Sequence, residues 1–215
     1  MRRPSIILLI ISLVILSSGL SVSAAIRGKI DYSIPVDYSK LSETELQDKA
    51  KVYYFNAQKL KDGEVNEDMT NALMLYSVLL NMNPQSIEYC IKLGALYDKL
   101  NMDKNAKGNF SRAIGIDPSQ PEPYFYLGEF YYKRQMYRKA LKYYGEAYQR
   151  GYQTNYDMLY KMGDIYEKFG DTRSALKYLN DASAQNPNSE LDNKIKRIEA
   201  QHSINKEYYS NTRIR

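Results

Sequence analysis

The chain has 215 residues, 44% hydrophobic and 26% charged, a balance too apolar for a disordered polypeptide. Its net charge of +5, about +3 by the same count once Arg2 and Arg3 are set aside, is too small for a strongly basic nucleic-acid-binding face. A single cysteine, Cys90, excludes an internal disulfide and a cysteine-cluster metal site, while 22 tyrosines and no tryptophan supply rings whose hydroxyls can reach water at the rim of a core.

Residues 1–25 have the three parts of an export signal: Arg2 and Arg3, an apolar run from Ile6 to Leu16, and the small-residue stretch SSGLSVSAA. Val22-Ser23-Ala24 and Ser23-Ala24-Ala25 both suit cleavage. The span from Ile6 to Ile26 also has the length of an uncleaved membrane anchor, about 20 residues. Cleaved signal and anchor are both open, and either one places the rest of the chain outside the cytoplasm as an exported or membrane-anchored protein. Residues 26–41 read as a polar linker with Gly28 and Pro35.

From residue 42 to 188 the pattern is helical. Ser42 and Glu45 form a capping box flanked by Leu41 and Leu46, and the first helix runs through Tyr53, Tyr54, Ala57 and Leu60. A second helix carries Ala72, Leu75, Tyr76, Leu79 and Leu80 and stops at Asn83-Pro84, since proline restricts the residue before it and cannot continue a helix. A regular unit follows. Gly94, Gly128 and Gly163 recur at intervals of 34 and 35 residues, each preceded by an apolar residue and followed at +3 by Tyr97, Tyr131 or Tyr166. The partner helices carry Ala106, Phe110, Ala113; Ala140, Tyr144, Ala147; and Ala175, Leu179, Ala182. A fixed period of this length means one helical hairpin copied along the chain. A glycine inside a helix costs on the order of 1 kcal/mol against alanine, so three at one phase imply close helix contact. Pro84, Pro118 and Pro187 end second helices, with Gly151-Tyr152 replacing the missing proline. Ser86, Thr154 with Asp157, and Ser189 with Asp192 read as caps. The units run about 45–84, 87–120, 121–155 and 156–188. Residues 189–209 form a capping helix with Leu191, Ile195 and Ile198 on its apolar side, and 210–215 is a polar tail.

The unit from Ile87 to Pro118, with its Leu-Gly, Tyr, Ala, Phe, Ala and Pro, resembles the tetratricopeptide repeat (TPR) family. Cys90 stands where that family usually has tryptophan, the units at Pro121 and Tyr156 match well, and the first keeps only Ala72, Tyr76 and Pro84. The resemblance implies an all-α fold, a right-handed TPR solenoid of about four helix-turn-helix repeats plus a C-terminal capping helix. It also implies that first helices line a concave groove for a partner peptide or helix. Helical phase within that fold puts Glu88, Ile91, Ala95 and Asp98, then Glu122, Phe125, Glu129 and Tyr132, then Asp157, Tyr160, Asp164 and Glu167 on the groove, an acidic and aromatic surface. The Lys and Asn clamp with which some TPR co-chaperones hold a chaperone's C-terminal carboxylate is missing at these positions. A basic or aromatic protein segment is the expected partner.

No chemistry emerges from the remaining residues. His202 lies on the tail helix, Cys90 holds a core position with no histidine near it in any repeat, and the glycines form no phosphate loop. Asn109-Phe110-Ser111 has the form of a glycosylation sequon, but it falls within a helix beside a core phenylalanine. No catalytic residue, cofactor or metal site and no nucleic-acid partner is expected. Two functional readings stay open: a non-enzymatic adaptor that helps assemble an envelope complex, with a possible tether through residues 6–26, and a self-associating scaffold that uses Tyr137, Tyr143 and Tyr148.

Overall fold

The structure, a computed structural model, describes residues 41–212, with side chains to residue 204. The signal-or-anchor segment, the linker to residue 40 and residues 213–215 lie outside the described residues. Among those described there are nine α-helices and no strand: α1 (Glu43–Gln58), α2 (Glu67–Met82), α3 (Ile87–Lys99), α4 (Asp103–Ile116), α5 (Glu122–Lys133), α6 (Tyr137–Gln149), α7 (Tyr156–Lys168), α8 (Thr172–Gln185) and α9 (Ser189–Thr212). None of them is long and apolar enough to cross a membrane. They form an all-α series of helical hairpins that divides into two units, α1–α4 ending at Pro118 and α5–α9 beginning at Ser119.

In the first unit, α1 starts on the capping box. The Ser42 hydroxyl accepts from the Glu45 amide at 3.3 Å, and the Glu45 carboxylate accepts from the Ser42 amide at 2.8 Å. The α1–α2 loop turns at Gly63, whose φ of +79° suits a residue without a Cβ, and the Gly63 amide is bonded to the Lys99 carbonyl at the end of α3. Ser86 caps α3 through the Tyr89 amide. A Cβ placed on Gly94 would stand 2.4 Å from a ring carbon of Phe110, so this glycine is what admits the ring between α3 and α4. Phe110 is fully buried with Ala106 and Ala113 at its sides, a burial that contributes about 1.5–3 kcal/mol.

The second unit repeats the device. A Cβ placed on Gly128 would stand 2.3 Å from the Tyr144 ring, and one on Gly163 2.6 Å from Leu179. The pairs Ala140/Ala147 and Ala175/Ala182 are fully buried beside them. Helix α9 closes this unit by laying Leu191, Ile195 and Ile198 on Leu159, Leu179 and Ala182. Capping differs by one residue from the sequence reading at two places: Asn155 rather than Thr154 accepts from the Met158 amide, and Asn188 rather than Ser189 accepts from the Leu191 amide. Asparagine competes with serine and threonine for this position, and here the turn delivers its carbonyl to the free amide.

Within the three regular hairpins the turn between helices has one geometry. The Met102, Met136 and Asp171 amides bond to the carbonyls of Tyr97, Tyr131 and Tyr166, across a left-handed residue at Asn101, Gln135 or Gly170. This is the six-to-one closure by which helices end on a glycine or asparagine. Gln135, with φ 57°, is the strained member. Gln135→Gly is expected to raise stability by about 0.5–1 kcal/mol, the relief of strain less the extra unfolded-chain entropy. Urea denaturation checks this, and a lowered midpoint would refute it.

Candidate functional site

The first helices of the second unit, α5 and α7, together with α9, bring eight of the ten predicted positions onto one face. Glu88 and Ile91 belong to the first unit. There Glu88 is exposed, but Ile91 is buried at 3% and cannot touch a partner. Ile91 occupies the same repeat position as Phe125 and Tyr160, which stay half-buried because their side chains reach beyond the covering neighbours. Elsewhere on the first helices of this unit Gln47 and Tyr89 share a hydrogen bond, and Glu43 accepts from the Tyr89 hydroxyl at 3.2 Å.

On the second unit the rings fall into three groups. Phe125 packs against Tyr126, Tyr144 and Tyr152 with ring centroids 5.4, 6.2 and 5.7 Å apart. Tyr132 meets Tyr137 edge-on at 5.8 Å, and Tyr160 stacks on Tyr156 at 6.1 Å. Such contacts fix the rings before any partner arrives.

The carboxylates are tied into a ladder that links consecutive first helices. Glu129 on α5 accepts from the Tyr144 hydroxyl at 2.6 Å and pairs with Lys161 on α7. Asp164 on α7 accepts from the Tyr132 hydroxyl at 3.1 Å, from Lys168 at 2.8 Å and from Lys194 on α9 at 3.0 Å. Glu167 pairs with Lys194 and Arg197, each at 3.0 Å. Burial works to raise the Asp164 carboxyl, but Lys168 and Lys194 outweigh it and hold the group below its ordinary value. Burial likewise works to lower Lys194, yet Asp164 and Glu167 hold it up. Burial first, and then the neighbouring carboxylates, push the phenols of Tyr132 and Tyr144 well up, and that of Tyr152 to about 12.

The face is therefore less acidic than the sequence suggests. Among the described residues Glu122 and Asp157 are its exposed carboxylates without an ion pair, and Glu122 accepts from the Tyr152 hydroxyl at 3.3 Å. Sequence reasoning missed Lys161, Lys194 and Arg197. Their signal was a spacing of 30–32 residues from acid to base, a little under one repeat length. At the end of the face, an open cleft of about 520 Å³ lies among Tyr156, Tyr160, Asn188, Lys194 and Arg197, with Leu191 below.

Reactive chemistry has little to work with here. Cys90 is fully buried, which pushes its thiol up, and His202 is exposed on α9. No cluster of three metal-ligating side chains occurs among the described residues. The face presents immobilised rings, two exposed carboxylates without an ion pair among the described residues, and a neutralised ionic ladder.

Comparison with known proteins gives this architecture a family. Tetratricopeptide-repeat models match residues 87–120 and 157–189. The TPR repeat-containing protein MJ1428 of Methanocaldococcus jannaschii is 29% identical over 124 residues, which is 58% of this chain. The chain spans only 22% of the length of that relative. Among solved structures, a crystal structure of MamA protein aligns with TM-score 0.53 at 17% identity over 76% of this chain and 90% of that one. PilW, a widely conserved type IV pilus biogenesis factor, aligns with TM-score 0.54 at 21% identity over 66% of this chain and 62% of that one. Repeat models, relative and shared fold agree with the glycine-and-ring hairpins described above: the chain is a tetratricopeptide-repeat protein.

Proposed function

We propose that the protein is a non-enzymatic adaptor acting outside the cytoplasm, binding a partner segment on the first-helix face of α5, α7 and α9 to help assemble an envelope complex. TPR folds serve protein–protein interaction, which supports the general reading. The observation that carries the specific one is the row of half-buried rings, Phe125, Tyr132 and Tyr160, already held by their neighbours. Rings fixed in advance lose little entropy on binding and are the usual anchors of an interface. Because Glu129, Asp164 and Glu167 are spent on internal cations, the partner segment is foremost aromatic or apolar. A basic side chain in it can reach Glu122 or Asp157. The signal-or-anchor character of residues 1–25 supports the location, with residues 6–26 as the possible tether.

Self-association through Tyr137, Tyr143 and Tyr148 has less support. All three are half-buried, and each spends a ring face on Phe169, Tyr131 or Tyr178 of its own chain.

Affinity capture with the full chain as bait tests the site. Phe125→Ala/Tyr132→Ala is expected to weaken recovery of the specific partner about thirtyfold or more, as loss of a central aromatic anchor does. Equal recovery by both baits, with the variant's helical content intact, would sink this face as the binding site.

A further inference from the structure

The cations of the second unit divide into two populations. On the first-helix face Lys161, Lys168, Lys194 and Arg197 are all paired with carboxylates. On the second helices the opposite holds. Arg138, Lys139 and Lys142 of α6 and Arg173 and Lys177 of α8 are exposed, and none makes an ion pair among the described residues. The acids near them form no ion pair with them, although Asp171 feels the charge of neighbouring Arg173. Glu146 is taken by Arg150 at the end of α6, Asp181 is half-buried, and Asp171 is occupied in capping α8 through the Ser174 amide.

Four of these five cations sit over rings. Lys139 lies 5.3 Å from the centroid of Tyr131, Lys142 5.7 Å from Tyr143, and Lys177 5.8 and 5.0 Å from Tyr148 and Tyr178. The Tyr148–Tyr178 contact at 5.9 Å joins α6 to α8, so the cations and rings make one surface. At its turn end Arg138 lies over Phe169, which is 49% exposed, and Met136 beside it is 47% exposed.

We infer that this α6–α8 face docks the protein on an anionic phospholipid bilayer. Free cations supply attraction to the headgroups, at about 1 kcal/mol for each Lys or Arg near an anionic surface. Tyrosines lie where an amphipathic ring is most at ease, at the boundary of apolar and wet, and exposed Met136 and Phe169 supply apolar tips that can enter it. An acidic polypeptide satisfies the charge but leaves Met136 and Phe169 unused, and the cleft near α9 lies on the other face. Copies of this chain are poor occupants, since two such surfaces repel. The apolar span at residues 6–26 makes a bilayer the partner nearest at hand, whether the rest of the chain is tethered there or released beside it.

The test uses the full chain on vesicles, with an environment-sensitive fluorophore on Q149C. Gln149 is exposed on the same side of α6 as Lys142, and buried Cys90 does not compete for the label. On vesicles containing phosphatidylglycerol the label is expected to be shielded from an aqueous quencher. It stays accessible on pure phosphatidylcholine vesicles, where any tether is the same. K139E/K142E/K177E is expected to cut the ratio of shielded to accessible label roughly a hundredfold, about fivefold per charge removed, and more for reversal. Salt titration of the unsubstituted protein gives the same reading without a variant: shielding falls steeply as salt screens the charges. Equal shielding on both vesicle types, insensitivity to salt, or shielding by polyglutamate but not by anionic vesicles would overturn the inference.

Discussion

Tyr144→Ala is expected to lower the free energy of unfolding by about 3–5 kcal/mol, a large part of the 5–15 kcal/mol typical of a folded domain. The ring is fully buried, and the residue facing it is Gly128, which has no side chain to swing into the space left behind. The flanking Ala140 and Ala147 are equally short, so the void has little means of collapse. Tyr144→Phe keeps the ring and removes only the hydrogen bond to Glu129. Because Glu129 retains Lys161, the carboxylate is not orphaned and the cost is about 1 kcal/mol. Urea denaturation followed by circular dichroism separates the two variants. A phenylalanine variant as unstable as the alanine one would show that the hydroxyl, not the ring, carries the effect.

Alkali is expected to unfold the protein cooperatively, starting near pH 10. The phenols of Tyr76 and Tyr144 are raised first by burial and then by nearby Glu88 and Glu129 respectively. Tyr76 is the sharper case, since its buried hydroxyl has no hydrogen-bond partner among the described residues. A phenol whose pKa is raised in the folded state contributes stability that is complete below the unfolded value, about 10, and is lost as pH climbs toward the folded value. These two fully buried rings together cost roughly 2.7 kcal/mol per pH unit above that point. Tyr132, Tyr152 and Lys194 shift in the same direction. Asp164 behaves oppositely: its folded value is depressed, so its contribution is present above the unfolded pKa of about 3.9 and is lost as pH falls. Tyrosinate absorbance and helical dichroism recorded in one titration check this. They are expected to change together, and full tyrosine ionisation near pH 10 with the helices intact would contradict it.

The hairpins were legible because their cause is local and repeated. Gly94, Gly128 and Gly163 each face a large side chain at one offset, and a period of 34 or 35 residues exposes that relation without coordinates. The candidate face was legible by phase but not by charge. Phase alone assigned Glu129, Asp164 and Glu167 as free acids, whereas their partners lie one repeat further along, at a separation no helical periodicity reports. Phase also treated Ile91 like Phe125, although a short branched side chain at that position is covered where a ring protrudes. The caps shifted by a residue because Thr154-Asn155 and Asn188-Ser189 each offer two adjacent capping side chains, and only turn geometry chooses between them.

The ionic ladder has a direction. Helix α7 carries Lys161, which answers the acid of α5, and Asp164 with Glu167, which are answered by α9. Helix α7 thus presents a cation on one side and acids on the other, and α9 is the terminator that supplies the last answering charges. In a chain that gained a second copy of residues 156–188, the added Lys161 would fall where Lys194 stands but the added Asp164 would fall where Arg197 stands, so Glu167 would trade one of its two cations for an acid; the terminator's Arg197 is what a simple tandem duplication does not reproduce.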